Sequence, residues 1–479
     1  MNPALSQDNF YIVPPQSTMY ESLVKLDNAF QPNPHLAESW ESRDDAQTWV
    51  FTLRDGVEFH DGSTMSADDV VYSLQMSMDP QSGTSREEME RRWAAGRAAM
   101  ATREFSAVVA TSYAASYYLS GAPIHCFGRP MATVIPLEGD PFMIASIIEQ
   151  GHVVAQSWIT DVSYYWDYNT TPDFENPQPP LVSMSELLAQ GLRERGMATG
   201  RIGFEDAKLP VAHFGALRRQ LPEVMFVGVS DILDRLRLVL SPEELALTRA
   251  ADAVADTGQE RLIEILAPGK SARELVDDVR GTMIDAILKH HPEMPFHLHV
   301  GPGLGSGAKG AGHSEWATWN GDDAVQTGQL LETVISVWLW GYWGNVERAV
   351  YVGKPTDAVA HGFHIMIEAN EAAMAATRPG ASLAEVDRAA KDVLARYGYV
   401  TRSGSGCGRG ITSYEADARE LAMDLRLYAD VILEPGMAFS LEPDLDIPGI
   451  GVFRHCNTII VTENGCDVDS RLPVQAIYV

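Results

Sequence analysis

Cysteine and basic residues are both scarce in this chain. Four cysteines, Cys126, Cys407, Cys456 and Cys466, are spread over 479 residues with no Cys-x-x-Cys pair. That spacing excludes a disulfide framework, speaks against a structural zinc site and suits reduced thiols. Lysine and arginine total 36 against 65 acidic residues, for a formal net charge of −29. So acidic a surface repels phosphate backbones and anionic lipid, so neither nucleic acid nor membrane is expected as a partner. No apolar run approaches the roughly 20 residues of a bilayer-spanning helix. The opening MNPALSQDNFYIVPPQ has no basic and apolar leader pattern, and the expectation is a cytoplasmic protein. What is present is 45% hydrophobic content, ample for a sizeable core, in a length that suits two or three domains.

Three segments can be distinguished, with boundaries expected at 1–83, 84–238 and 239–479. The first is polar. "TWVFTL" (48–53) alternates like a strand, and Ser66 with Asp69 reads as a helix start. The second opens with a helix from Ser85, where Ser85 and Glu88 have capping-box spacing, and continues as short apolar runs between helical patterns. That alternation indicates an α/β domain. The third contains an internal repeat. "APGKSARELVDDV" is answered by "RPGASLAEVDRAAKDV", and each follows a long helical pattern and precedes glycine-punctuated strand sequence. Ser241 with Glu244 and Ser271 with Glu274 mark helix starts. Two matching helix-helix-strand units imply a pseudo-two-fold domain with a cleft at the junction.

Two resemblances follow. "FTLRDGVEFHDG" (51–62) is similar to family 5 extracellular solute-binding proteins, a likeness that ends near residue 78 and implies an appended fragment. From about residue 85 onward, "CFGRP" (126–130), "GYWGNVERAVYVGKP" (341–355), "ILEPGMAFSLEP" (432–443) and "GVFRHCNTIIVTENG" (451–465) resemble the peptidase M24 or pita-bread family. "CFGRP" and the acid before arginine in "VER" point to its creatinase-like branch. The implied fold is α/β: a creatinase-like N-terminal domain, then a duplicated pita-bread catalytic domain.

Aminopeptidase members of that family hold two divalent ions through two aspartates, a histidine and two glutamates. Here those positions fall on Val334, Asn345, Cys407, Glu442 and His455, which leaves one carboxylate and no dinuclear cage. No cofactor is expected; a single ion on Glu442, His455 and Cys407 is the remaining metal alternative.

Without a metal, a histidine is the usual activator of water, because its pKa of about 6.5 suits proton transfer near neutrality. The resemblance places His313, in "KGAGHSEWATW", in that role; against it stands a surface-loop histidine, and His297 or His299 is an alternative lining residue. It places Glu347 and Glu442 face to face across the cleft, where two carboxylates need a cation between them. Glu347 paired with Arg348 is the plain structural alternative. Arg129 and Arg419, with Phe127 beside them, match residues that bind a carboxylate, and the Phe127–Arg129 loop implies a homodimer in which it completes the partner's site. Tyr342 or Trp343 narrows the pocket, Cys456 joins the substrate contacts, and Trp338 and Trp340 are read as core. The expected activity is metal-independent hydrolysis of a non-peptide C–N bond, as with a creatine-like guanidino acid. The alternatives are hydrolysis of a cyclic amidine of the ectoine type, an Xaa-Pro metallopeptidase, and an inactive small-molecule-binding protein.

Overall fold

The computed structural model describes residues 23–26, 32–43, 48–59, 62–71, 83–124, 129–166, 182–206, 211–292, 294–301, 324–401, 404–411 and 431–479. Phe127, His313 and Arg419 lie outside these residues.

The polar N-terminal segment forms two small antiparallel pairs, β1 (Val24–Leu26) with β2 (Pro32–Pro34) and β3 (Ala37–Arg43) with β4 (Thr48–Leu53). Ser66 Oγ accepts from the Asp69 amide while the Asp69 carboxylate takes the Ser66 N–H, the helix start expected there.

Next come α1 (Arg86–Ala101), β5 (Ala107–Ala110), α2 (Tyr113–Ser120), β6 (Ala132–Pro136), β7 (Phe142–Ser146), α3 (Gln150–Gln156), β8 (Val162–Tyr165), α4 (Met184–Glu194), β9 (Gly200–Phe204), α5 (Val211–Gln220), β10 (Val224–Gly228) and α6 (Ser230–Leu238). The six strands form one mixed sheet in the order β10-β9-β5-β6-β7-β8. Its central strands are buried on both faces, as their continuous apolar sequence requires.

The repeat folds as two copies of one plan. The first is α7 (Pro242–Ile265), α8 (Ala272–His290) and the antiparallel sheet β11 (Phe296–Gly301), β12 (Leu330–Leu339), β13 (Tyr342–Tyr351). The second is α9 (Asp357–Ala376), α10 (Leu383–Arg396), β14 (Ala438–Leu441), β15 (Asp444–Ile447), β16 (Gly451–Arg454), β17 (Asn457–Thr462) and β18 (Gly465–Val468), with β14-β17-β18 as one sheet and β15-β16 as a hairpin. Reciprocal Ser–Glu capping boxes start α7, α8 and α10. Each helix pair buries an apolar stripe under its own strands: Leu262, Leu275, Met283, Ile335 and Val350 in the first half, Phe363, Met366, Val386, Phe439 and Ile459 in the second.

The α1 start departs from the expected box. Ser85 Oγ accepts from the Glu88 amide (3.1 Å), but Glu88 turns to Arg91 and Arg92, and the Ser85 N–H and hydroxyl bond Glu243 of α7 instead (2.9 and 2.6 Å). A local cap thus becomes a tie between segments.

Candidate functional site

The halves meet where Glu347 of β13 and Cys456 exchange both backbone hydrogen bonds (3.2 and 3.0 Å). Strand alternation decides what faces the junction. On β13, Val346 and Val350 enter the core under α7 and α8, which leaves Trp343, Asn345 and Glu347 on the other face. Across from these three stand Trp338, Ser336 and Val334 of β12, with Glu332 one pair further along.

In the second half, Ser405–Arg409 runs beside β14, with Ser440 N–H bonding Cys407 O (2.7 Å) and Arg409 N–H bonding Ala438 O (2.9 Å). Glycine is required at 406: at φ +153° an added Cβ would lie 1.8 Å from Ser440 O. The close approach sets Cys407 and Arg409 beside Glu442, which follows β14.

Three donors converge: a carboxylate oxygen of Glu347, one of Glu442 and Cys456 Sγ lie within 4.8 Å of one another. Glu347 and Cys456 are buried; Glu442 is half-buried. Arg454 forms ion pairs with Glu347 and with Glu332 (2.6 Å to the latter). Asn345 Nδ2 donates to Glu347 Oε1 (3.0 Å) and reaches Cys456 Sγ (3.4 Å), while Ser336 Oγ donates to Asn345 Oδ1 (2.8 Å). Arg409 donates through Nε to Thr458 Oγ1 (3.0 Å) and through Nη2 toward Cys456 Sγ (3.5 Å), and its guanidinium lies 4.0 Å over the Trp343 ring. Among the described residues Glu442 forms no ion pair.

The electrostatics follow from burial. Desolvation, then the charge of Glu347, raises the pKa of Glu442. Burial also pushes Cys456 up and Cys407 to about 12, so both thiols stay protonated near neutrality. The Arg454 guanidinium, surrounded by Glu347, Glu332 and Glu442, is held charged.

Several expectations are corrected. Tyr342 lines no pocket: it is fully buried on the opposite face of β13, accepting from Arg92 (3.0 Å) and donating to Glu244 Oε1 (3.1 Å). Trp343, its neighbour, takes the cleft position. Trp338 is not core but stacks on Trp343 (ring centroids 6.1 Å, 15°), whereas Trp340 is buried in the β12–β13 turn at φ 47°. Glu347 pairs with Arg454, not Arg348, which bonds the Glu347 and Cys456 carbonyls. His455 is turned from the cleft: its Nδ1 accepts from the Ala349 amide (3.2 Å) and its Nε2 donates to Gln475 O (2.7 Å). The residue facing Glu347 and Glu442 is Cys456, one position on, and the single-ion alternative on His455 falls. The polar group opposite Asn345 is Ser336, two residues beyond Val334.

Arg129 is half-buried before β6. His297 and His299 sit on β11, their side chains outside the description. Arg454 and Arg409 were not singled out by sequence; an arginine at the end of each of two cleft-edge motifs, "VFR" and "GCGR", is the signal that marks them.

Residues 246–463 match the profile of metallopeptidase family M24, directly after a match of residues 92–239 to the Creatinase/Prolidase N-terminal domain. Residues 246–463 carry an M24-family domain. Residues 31–126 match the family 5 bacterial extracellular solute-binding profile, further than the end near residue 78 expected from sequence. Relatives include ectoine hydrolase of Halomonas elongata, 25% identical over 82% of this chain and 97% of its own length. A probable dipeptidase PepE of Mycobacterium tuberculosis is 29% identical over 81% and 96%, and creatinase of a Bacillus species 24% over 81% and 92%. Among solved structures, dipeptidase PepE of Mycobacterium ulcerans superposes with a TM-score of 0.65 at 25% identity, covering 83% of this chain and 99% of that one. Prolidase of Pyrococcus horikoshii gives 0.62 at 22%, covering 80% and 99%, which shows the shared pita-bread fold.

The family name implies metal, and the residues do not fit a dinuclear centre. Glu347 is engaged by a guanidinium and an amide, the Cys456 thiol is held protonated and contacts a second guanidinium, and Val334, Ser336, Asn345 and Cys407 add no carboxylate. A dication there would sit against two buried cations.

Proposed function

We propose that this chain hydrolyses a non-peptide C–N bond, without a metal ion, in a small substrate carrying an amidinium or guanidinium and a carboxylate. One observation carries the reading: half-buried Glu442 stands beside Glu347, with Arg454 and Arg409 near it but no direct ion pair among the described residues. A planar substrate cation supplies that missing partner, its N–H groups forking to the two carboxylates. Holding the group there keeps it protonated, so its central carbon stays electrophilic. Water adds to that carbon, the C–N bond to the leaving nitrogen breaks, and the leaving nitrogen takes a proton. His313 is the proposed group that takes the proton from water and returns it. Phe127 and Arg129 of a second copy, with Arg419, are the proposed contacts of the carboxylate, which makes a homodimer the working unit. The ectoine hydrolase and creatinase relatives support this class of chemistry; the metal-poor donor set weighs against the peptide cleavage named for the dipeptidase relatives.

The test is a panel of creatine, guanidinoacetate, ectoine and Xaa-Pro dipeptides, assayed with chelator and with added Mn2+. Chelator-insensitive hydrolysis of a guanidino acid or cyclic amidine is expected. Cleavage confined to dipeptides and dependent on Mn2+ overturns the reading.

A further inference from the structure

The cleft contains two buried donors with nothing to donate to. Arg409 is 1% exposed, and its Nη1 has no hydrogen-bond partner. Its other nitrogens are spent on a hydroxyl, Thr458 Oγ1, and on a thiol; the carboxylates of Asp252 and Glu442 act on its charge, but neither forms a direct ion pair with it. The indole Nε1–H of Trp343 is also buried without an acceptor. These groups are adjacent, the guanidinium lying 4.0 Å over the indole ring.

A buried N–H without an acceptor loses its water with no return, and a buried cation without an anion loses more. Two such groups in contact define a place that an acceptor, and best an anion, would satisfy. The position also suits a bifunctional ligand, since Cys456 Sγ, 3.5 Å from Arg409 Nη2, lies within 4.8 Å of carboxylate oxygens of Glu347 and Glu442.

We propose that Arg409 and Trp343 form a carboxylate-binding subsite within a single chain, Arg409 Nη1 and Trp343 Nε1 donating to the anionic end of the substrate whose cation rests on Glu442 and Glu347. The proposal deepens the functional reading above and rests on it for the cation end only. It assigns specificity to residues other than Arg129 and Arg419. Trp338 stacks on Trp343 and braces the indole that Arg409 covers.

The test uses the full chain and calorimetric titration at fixed ionic strength with three probes: propionate, methylguanidine and creatine. Wild type is expected to bind propionate, and to bind creatine more tightly than methylguanidine. Arg409→Gln and Trp343→Phe, the second keeping an aromatic platform but no N–H, are expected to weaken propionate and creatine by about tenfold to a hundredfold, the worth of hydrogen bonds to a charged group. Methylguanidine binding should stay within about twofold, which also shows that each variant folds. Unchanged propionate affinity in both variants, or no propionate binding to wild type, overturns the subsite. Loss of methylguanidine binding to wild type, with propionate retained, instead overturns the cation-binding reading and leaves the subsite standing.

Discussion

Among the guanidinium groups withdrawn from water, Arg92 at the domain junction and Arg409 in the cleft are treated in opposite ways. Arg92 donates from Nε to Glu88 (2.8 Å), from Nη1 to Tyr118 O (3.0 Å) and from Nη2 to Tyr342 (3.0 Å), with Glu244 3.3 Å away. Its nitrogens all have partners and two acids balance its charge, so α1, α7 and β13 are fastened together. Arg409 has a hydroxyl, a thiol, an aromatic face and an idle nitrogen. Saturation marks architecture; unsaturation beside a carboxylate pair marks a ligand's place.

The largest effect is expected at the saturated group. Arg92→Met leaves buried Glu244 with only Arg91 at 3.9 Å, takes one of the two guanidiniums from Glu88, and should cost about 3–5 kcal/mol in urea denaturation. Arg409→Met strands no acid ion pair and should cost less than about 1 kcal/mol. Equal losses in the two variants break the contrast. Glu442→Gln removes the unpaired carboxylate and should lower kcat at least about a hundredfold with little change in stability, read by steady-state kinetics on the hydrolysed substrate.

A pH titration of stability sharpens the comparison from the other side of Glu347. Burial first, then Arg348, depresses His455 to about 3. The unfolded chain therefore binds the extra proton between the usual histidine value near 6.5 and about 3. Stability from this group is complete above the unfolded value and is lost as pH falls. The loss from pH 7 to pH 5 should be about 2 kcal/mol, and His455→Asn should remove that slope. Ser85→Ala should cost about 1 kcal/mol in thermal unfolding, from the lost cap and the tie to Glu243.

The duplication, the α/β character and two of the capping boxes, at Ser241 and Ser271, were legible because each is local: a repeated string, an alternation, or a pair three residues apart. Facing was the weak point. A strand side chain changes sides with every residue, so a shift of one position exchanges Cys456 for His455 and Trp343 for Tyr342. Ser85 was legible as a cap but not as a bond to Glu243, which lies far along the chain. Glu347 and Glu442 were found by motif, and the structure does bring them together. Arg454 and Arg409 escaped because a buried arginine cannot be told from an exposed one until its acids, or their absence, are seen in space.

The account turns on guanidinium groups and two glutamates doing without a metal. Its most direct test is to strip the purified protein with chelator, confirm by elemental analysis that less than a tenth of an equivalent of any transition metal remains, and measure hydrolysis of guanidino acids and cyclic amidines. Turnover unchanged by stripping and unaffected by restored Mn2+ or Zn2+ is the predicted result. Activity that vanishes on stripping and returns with stoichiometric metal contradicts it.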